Sequence, residues 1–283
     1  MRKLVVSFIS LVCFLFIFTA CGNNSFDNKE EKRADENEVA ENAIGNTVDN
    51  KDNQVTVAAD YLAIAEKATL QYESKTDSWR YAVYKDNTGH YNCYVVLYDY
   101  LSEIPIQLEL PAEIDSYPVI AVMGYDEDFI NSSVFDKLTD DPNHITKSLI
   151  MPNSIIYIGK GAFCYCDALS DIKWSQNITR IGECAFRGCY ELKIWNPPAK
   201  LNCISWGAFS GCGFTEIIIP DTVTFIGESA FSNSTYLEKV TIPTTVTHIG
   251  EGAFDYIVTI YGYAGSEAAR YAADENKNFK VIN

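Results

Sequence analysis

Three cysteines recur at one interval. Cys166, Cys189 and Cys212 stand 23 residues apart, and thiolates at a fixed step could form a row of metal ligands. Ser234 continues the column 22 residues on, where a metal ladder would need another sulfur. Serine is a near isostere of cysteine, so the column reads as small side chains packed in a core. No Cys-x-x-Cys pair occurs, and Cys164-Tyr165-Cys166 has the wrong spacing for a zinc knuckle. Cys164 and Cys184 lie near one corner of adjacent repeats; an oxidising compartment would allow a disulfide there, and two unpaired thiols are the alternative.

Other chemistry has few parts to draw on. The histidines His90, His144 and His248 are far apart in the chain, which leaves little for a His-assisted nucleophile or a His-rich metal site. Glycine-rich strings such as "GKGAF" lack the full spacing and the Lys-Ser/Thr pair of a phosphate loop. Between Gly124 and Asn143, Asp126, Asp136, Asp140 and Asp141 offer the oxygen ligands that Ca²⁺ takes, but they follow no EF-hand order and read as a solvated acidic loop. A hydrolase would need two carboxylates held at a fixed distance in a cleft. Nothing in the spacing of residues 79–143 sets such a pair, so no catalytic residue, cofactor or metal is assigned.

The elements that would have to position these groups repeat themselves. "IGKGAF" at Ile158, "IGECAF" at Ile181, "ISWGAF" at Ile204, "IGESAF" at Ile226 and "IGEGAF" at Ile249 place Ala162, Ala185, Ala208, Ala230 and Ala253 at steps of 23, 23, 22 and 23. A period in the low twenties is that of a solenoid whose coils each contribute a short strand. Ten residues before each alanine stand Pro152, Ser175, Pro198, Pro220 and Pro243. In each corner the Ile and Phe are expected to point inward, the Gly to permit a tight turn, and the Ala to fit where neighbouring coils nearly touch. One coil cannot bury its own apolar face; stacking does, at roughly 1.5–3 kcal/mol per buried Phe.

This pattern resembles the BspA-like (Treponema pallidum-type) leucine-rich repeat family, through "IPDTVTFIGESAFSNSTYLEKVTIP" and its copies. The family's usual opening is matched by "LPAEIDSYPVIAVMG", Leu110 to Gly124, and its usual close by "IYGYAGSEAARYAADENKNFKVIN". The resemblance covers about 107–283. It implies a right-handed leucine-rich solenoid with a short parallel strand per coil and a short C-terminal helix, and it implies adhesion or contact with a host protein.

Upstream, Arg2 and Lys3 precede an apolar run from Leu4 to Phe18 that is too short for a comfortable bilayer span. The run ends in "FTAC", which resembles the lipobox of bacterial lipoproteins, with Cys21 as the lipidated residue and Phe18 where Leu is usual. The expected organisation is a lipoprotein signal peptide over 1–20, a disordered acidic and Asn-rich linker over 21–54, an N-terminal cap over 55–106, and the repeat domain over 107–283. The linker would hold the folded body about 30 Å from the membrane. Within the cap, Val57 to Ser74 has helical spacing, and "WRYAVY" and "NCYVVLYDYL" flank a turn and read as a hairpin. The formal charge of −16 becomes −18 once residues 1–20, with two basic and no acidic residues, are removed. Such a chain repels phosphate backbones, so nucleic acid is excluded as a partner.

What remains free to recognise anything is the outer face of the strands. Alternation directs Gln107, Glu109, Ser148, Ile150, Asp171, Lys173, Ile194, Asn196, Glu216, Ile218, Lys239 and Thr241 outward. Pro197 makes the copy around Trp195 irregular. An apolar streak of Ile150, Ile194 and Ile218 with a polar rim is the pattern of a contact surface. The insertion of about eleven residues between Phe129 and Leu149 is of the kind that collects on a binding face. The expected function is therefore a non-enzymatic, lipid-anchored surface protein whose sheet face binds a host matrix or envelope protein. A hydrolase module carried on a repeat scaffold and a purely structural envelope protein are the alternatives.

Overall fold

The computed structural model describes residues 68–87, 90–91, 93–102, 105–124 and 146–282. The signal peptide, Cys21, the linker, His144 and nearly all of the acidic insertion lie outside the described residues, as does the first part of the expected helix. The last part of that helix is a strand. Thr69–Lys75 forms β1, antiparallel to β2 (Trp79–Lys85), which in turn pairs antiparallel with β3 (Cys93–Tyr100). Helical spacing over these residues is outweighed by the ladder that β2 offers and by a tie through Tyr72. The hydroxyls of Tyr72 and Tyr81 both donate to Asp115 Oδ2, at 3.3 and 2.6 Å. Asp115 and Ser116 are the left-handed pair (φ 53° and 65°) of the tight turn between β5 (Glu113–Ile114) and β6 (Tyr117–Val122).

After the hairpin the chain winds into a β-solenoid of about seven turns. Each turn touches two sheets. The ribbon sheet comprises β4 (Gln107–Glu109), β7 (Ser148–Ile150) and β9 (Asp171–Lys173), then, after a break, β12 (Glu216–Ile218), β14 (Lys239–Thr241), β16 (Thr259–Gly262) and β17 (Phe279–Val281). The second sheet begins with the cap and continues through two-residue strands. Its order is β1, β2, β3, β6, then β8 (Tyr157–Ile158), β10 (Arg180–Ile181), β11 (Cys203–Ile204), β13 (Phe225–Ile226) and β15 (His248–Ile249). From β3 onward these strands are parallel, so the hairpin cap is built into the array.

The core is continuous because the repeat is. Phe163, Phe186, Phe209, Phe231 and Phe254 stack ring on ring at 5.4–5.5 Å, with interplanar angles of 6–20°. Each Phe amide donates to the carbonyl of the alanine one coil further on: Phe163 to Ala185, Phe186 to Ala208, Phe209 to Ala230 and Phe231 to Ala253, all at 2.8 Å. The corner glycine does something other than turn the chain. A Cβ at Gly182 would lie 2.9 Å from the backbone of Gly159 and Ile158, so this position is kept bare by the neighbouring coil. The left-handed residue is the fourth of the string: Gly161, Cys184, Gly207, Ser229 and Gly252, with φ between 51° and 66°.

The array closes on α1 (Glu267–Asp274). Ser266 caps its N-terminus by accepting from Ala269 N, and Ala268, Tyr271 and Ala272 are buried against the last coil. The solenoid itself is nearly balanced in charge, with eleven Lys and Arg against thirteen Asp and Glu over 146–282. The acidic surplus of the chain lies outside it.

Candidate interaction surface

The ribbon sheet presents alternate residues to solvent, as its period of two requires. Leu108, Leu149, Ile172, Ile217 and Val240 are buried, while Gln107, Glu109, Asp171, Lys173, Glu216 and Ile218 are exposed and Ser148, Ile150, Lys239 and Thr241 half-buried. Parallel register sorts the outward residues into two columns. One runs Gln107, Ser148, Asp171, then Glu216, Lys239, Thr259; the other runs Glu109, Ile150, Lys173, then Ile218, Thr241, Tyr261, Lys280. Lys173 directly follows Ile150, so Ile150 stands apart from the other two isoleucines.

The break between β9 and β12 is where the apolar surface concentrates. Pro197 occupies the place at which Leu110, Met151, Ile219 and Ile242 donate a ladder bond to the next coil, and proline has no N–H to give. The indole of Trp195 supplies the missing donor: its Nε1 reaches Ile218 O at 2.7 Å. Its ring stands edge-on to Phe209, Phe214 and Phe231 at 5.3–5.6 Å, filling the inward position. Trp174 Nε1 donates to Asn196 Oδ1 at 3.1 Å, so this exposed candidate contact residue also supports the break. Ile194 is left 67 % exposed and Ile218 60 % exposed.

A feature that sequence reasoning passed over lies where the chain enters the ribbon. Tyr190, Tyr236, Tyr256 and Ile257 are all exposed, Tyr256 at 70 %. Each lies one or two positions before a buried residue (Leu192, Leu237 or Val258) that fills the same place in successive coils. The repeat alignment carries the signal: large apolar residues stand just ahead of an obligatory inward one. Further along, Lys239 pairs with Glu216 and lies 5.2 Å from the ring centre of Tyr261. Lys280 lies 5.3 Å from the same ring on the neighbouring strand and donates to its hydroxyl.

The cysteine column is core. Cys189 Sγ donates to Phe163 O and Cys212 Sγ to Phe186 O, each at 3.2 Å, and Ser234 Oγ makes the same bond to Phe209 O at 3.4 Å. Burial raises the thiols of Cys189 and Cys212, so neither is poised as a thiolate. Cys164 and Cys184 are both buried, and burial pushes the Cys164 thiol up to about 12. His248 stacks on Phe225 at 4.6 Å. Among the described residues no group of His, Cys, Asp and Glu is placed to hold a metal ion, and no helix is long and apolar enough to cross a membrane.

Two stacked parallel sheets joined by short corners define a leucine-rich β-solenoid. Residues 156–263 match the family described as BspA type leucine rich repeat region, in six copies. Among solved structures, the fold is similar to the leucine-rich repeat protein of T. pallidum, at 21% identity and a TM-score of 0.55, covering 74% of this chain and 98% of that one. It is also similar to a leucine-rich repeat protein of Bacteroides ovatus, at 25% identity and a TM-score of 0.50, covering 74% and 53%. No curated protein matches the chain.

Proposed function

We propose that this is a lipid-tethered, non-enzymatic surface protein that binds another protein through the ribbon face. The observation that carries the reading is the exposure of Ile194, in the break of the ribbon, and of Ile218, on the neighbouring β12. Apolar side chains held out by a built irregularity mark a contact surface better than scattered ones do. Flanking tyrosines supply the aromatic area that protein interfaces favour, and the near-neutral array disfavours polyanions. Asp171, Lys173, Asn196, Glu216, Lys239 and Thr241 form the polar rim, with Ile150 at one end. The tether is Cys21, inferred from the lipobox-like "FTAC", and it places the protein outside the cytoplasm. The partner class is a host matrix or envelope protein, as the resemblance implies.

Crosslinking on intact cells, followed by mass spectrometry, identifies what the tethered chain touches. Changing Ile150, Ile194 and Ile218 to Asp should abolish the specific crosslinks while the protein remains folded at the surface. Retention of those crosslinks in the triple variant would show that another surface binds. Loss of palmitate labelling on Cys21→Ser tests the anchor separately.

A further inference from the structure

The C-terminal end of the array is finished by side chains that stand in for a missing coil. Every interior Phe amide bonds the alanine carbonyl of the following coil, but no coil follows Phe254. Its N–H donates instead to the hydroxyl of Tyr271, at 3.2 Å, and the Tyr271 ring meets the Phe254 ring edge-on at 6.0 Å. On the open side of β15, the Ile249 amide donates to Glu267 Oε1 at 3.3 Å, and Arg270 holds that carboxylate in place. Both surrogates are acceptors because the Phe254 and Ile249 amides point toward this end, whereas the Gly250 amide donates back to Ile226 O. At the opposite end, among the described residues, β1 is the last strand of the same sheet, and all seven of its residues are exposed. Two antiparallel steps, β1 to β2 and β2 to β3, make β1 run in the direction of β15.

The two ends are therefore complementary: an exposed strand of the correct direction, and a strand edge whose donors are occupied by α1. We propose that the β15 edge is a docking surface for β1 of a second copy, held shut by α1 with Tyr271 and Glu267. Contacts of this head-to-tail kind do not close on themselves and lead to filaments, and an unguarded edge strand invites them.

The test uses the full chain. Wild type should sediment as a single-copy species, whereas Ala268→Asp combined with Tyr271→Ala, which expels α1, should give a concentration-dependent series of head-to-tail oligomers. Excess synthetic peptide Thr69–Lys75 should return that series to single copies. An opened variant that is folded by circular dichroism yet stays single-copy at every concentration overturns the proposal, and so do oligomers indifferent to the peptide. A second variant covers failure to fold: Tyr271→Phe keeps the ring and removes the acceptor. Amide exchange should then quicken at least about tenfold at Phe254 and not at Phe209; unchanged exchange at Phe254 would equally defeat the idea.

Discussion

The indole nitrogen of Trp195 donates to the carbonyl of Ile218 across adjacent coils, at 2.7 Å. It does so where Pro197 cannot, and the same ring packs against Phe209, Phe214 and Phe231. Two functions of this side chain separate by mutation. Trp195→Phe keeps most of the packing and loses the donor, for a cost of about 1 kcal/mol. Trp195→Ala loses both, and about 3–5 kcal/mol is expected. Urea unfolding midpoints of the two variants measure the difference; no loss in Trp195→Phe would mean that the hydrogen bond contributes nothing.

The corner glycines and the left-handed positions respond in opposite directions. Gly182→Ala forces a methyl to 2.9 Å from the backbone of the previous coil and should lose about 1–3 kcal/mol. Ser229→Gly relieves a left-handed residue at φ 56° and should gain about 0.5–1 kcal/mol. Thermal melts of the pair check the assignment, which fails if Ser229→Gly lowers Tm.

Buried thiols make the fold sensitive to alkali. Burial pushes Cys164 from 9.0 up to about 12, so between these values the folded protein keeps a proton that the unfolded chain has released. The folded state then binds more protons, and stability falls as pH rises. The contribution is complete below pH 9 and is lost on the way to about 12, amounting to up to about 4 kcal/mol. Cys164→Ser should flatten this decline in a series of urea titrations at rising pH; an unaltered slope would exclude Cys164 as its source.

The proposed contact residues should be separable from stability. Ile194 and Ile218 make the ribbon's most exposed apolar surface, so Ile194→Asp and Ile218→Asp should each shift unfolding by no more than about 0.5 kcal/mol. A cooperative melt at the wild-type temperature is the expected result. A large loss would mean that the break around Trp195 depends on these side chains for its shape.

Much of the solenoid is legible in the chain because stacking obliges every coil to repeat its core. The 22–23-residue step, the five-Phe column, the small Cys/Ser column and the inward–outward phase of the ribbon all follow from that. Three features were not legible because they depend on contacts between distant residues. Residues 69–74 end the stretch with helical spacing and instead join the strand Thr69–Lys75 beside β2, tied through Tyr72 to Asp115, 43 residues away. The corner glycine looks like a turn residue and is instead a contact point, since only stacked coils show what lies 2.9 Å from it. The pin of Trp195 could be suspected from Pro197, but its acceptor belongs to the next coil.

Sequence alone thus determined the architecture, because apolar periodicity is a local property and its burial requires a neighbour of the same kind. Tertiary structure decided which surfaces remain available. It separated Ile150 from Ile194 and Ile218, lined the entrance to the ribbon with Tyr190, Tyr236 and Tyr256, and closed the last coil with Tyr271 and Glu267. The physical reason is that exposure and hydrogen-bond satisfaction belong to the packed coils together and to no single stretch of chain.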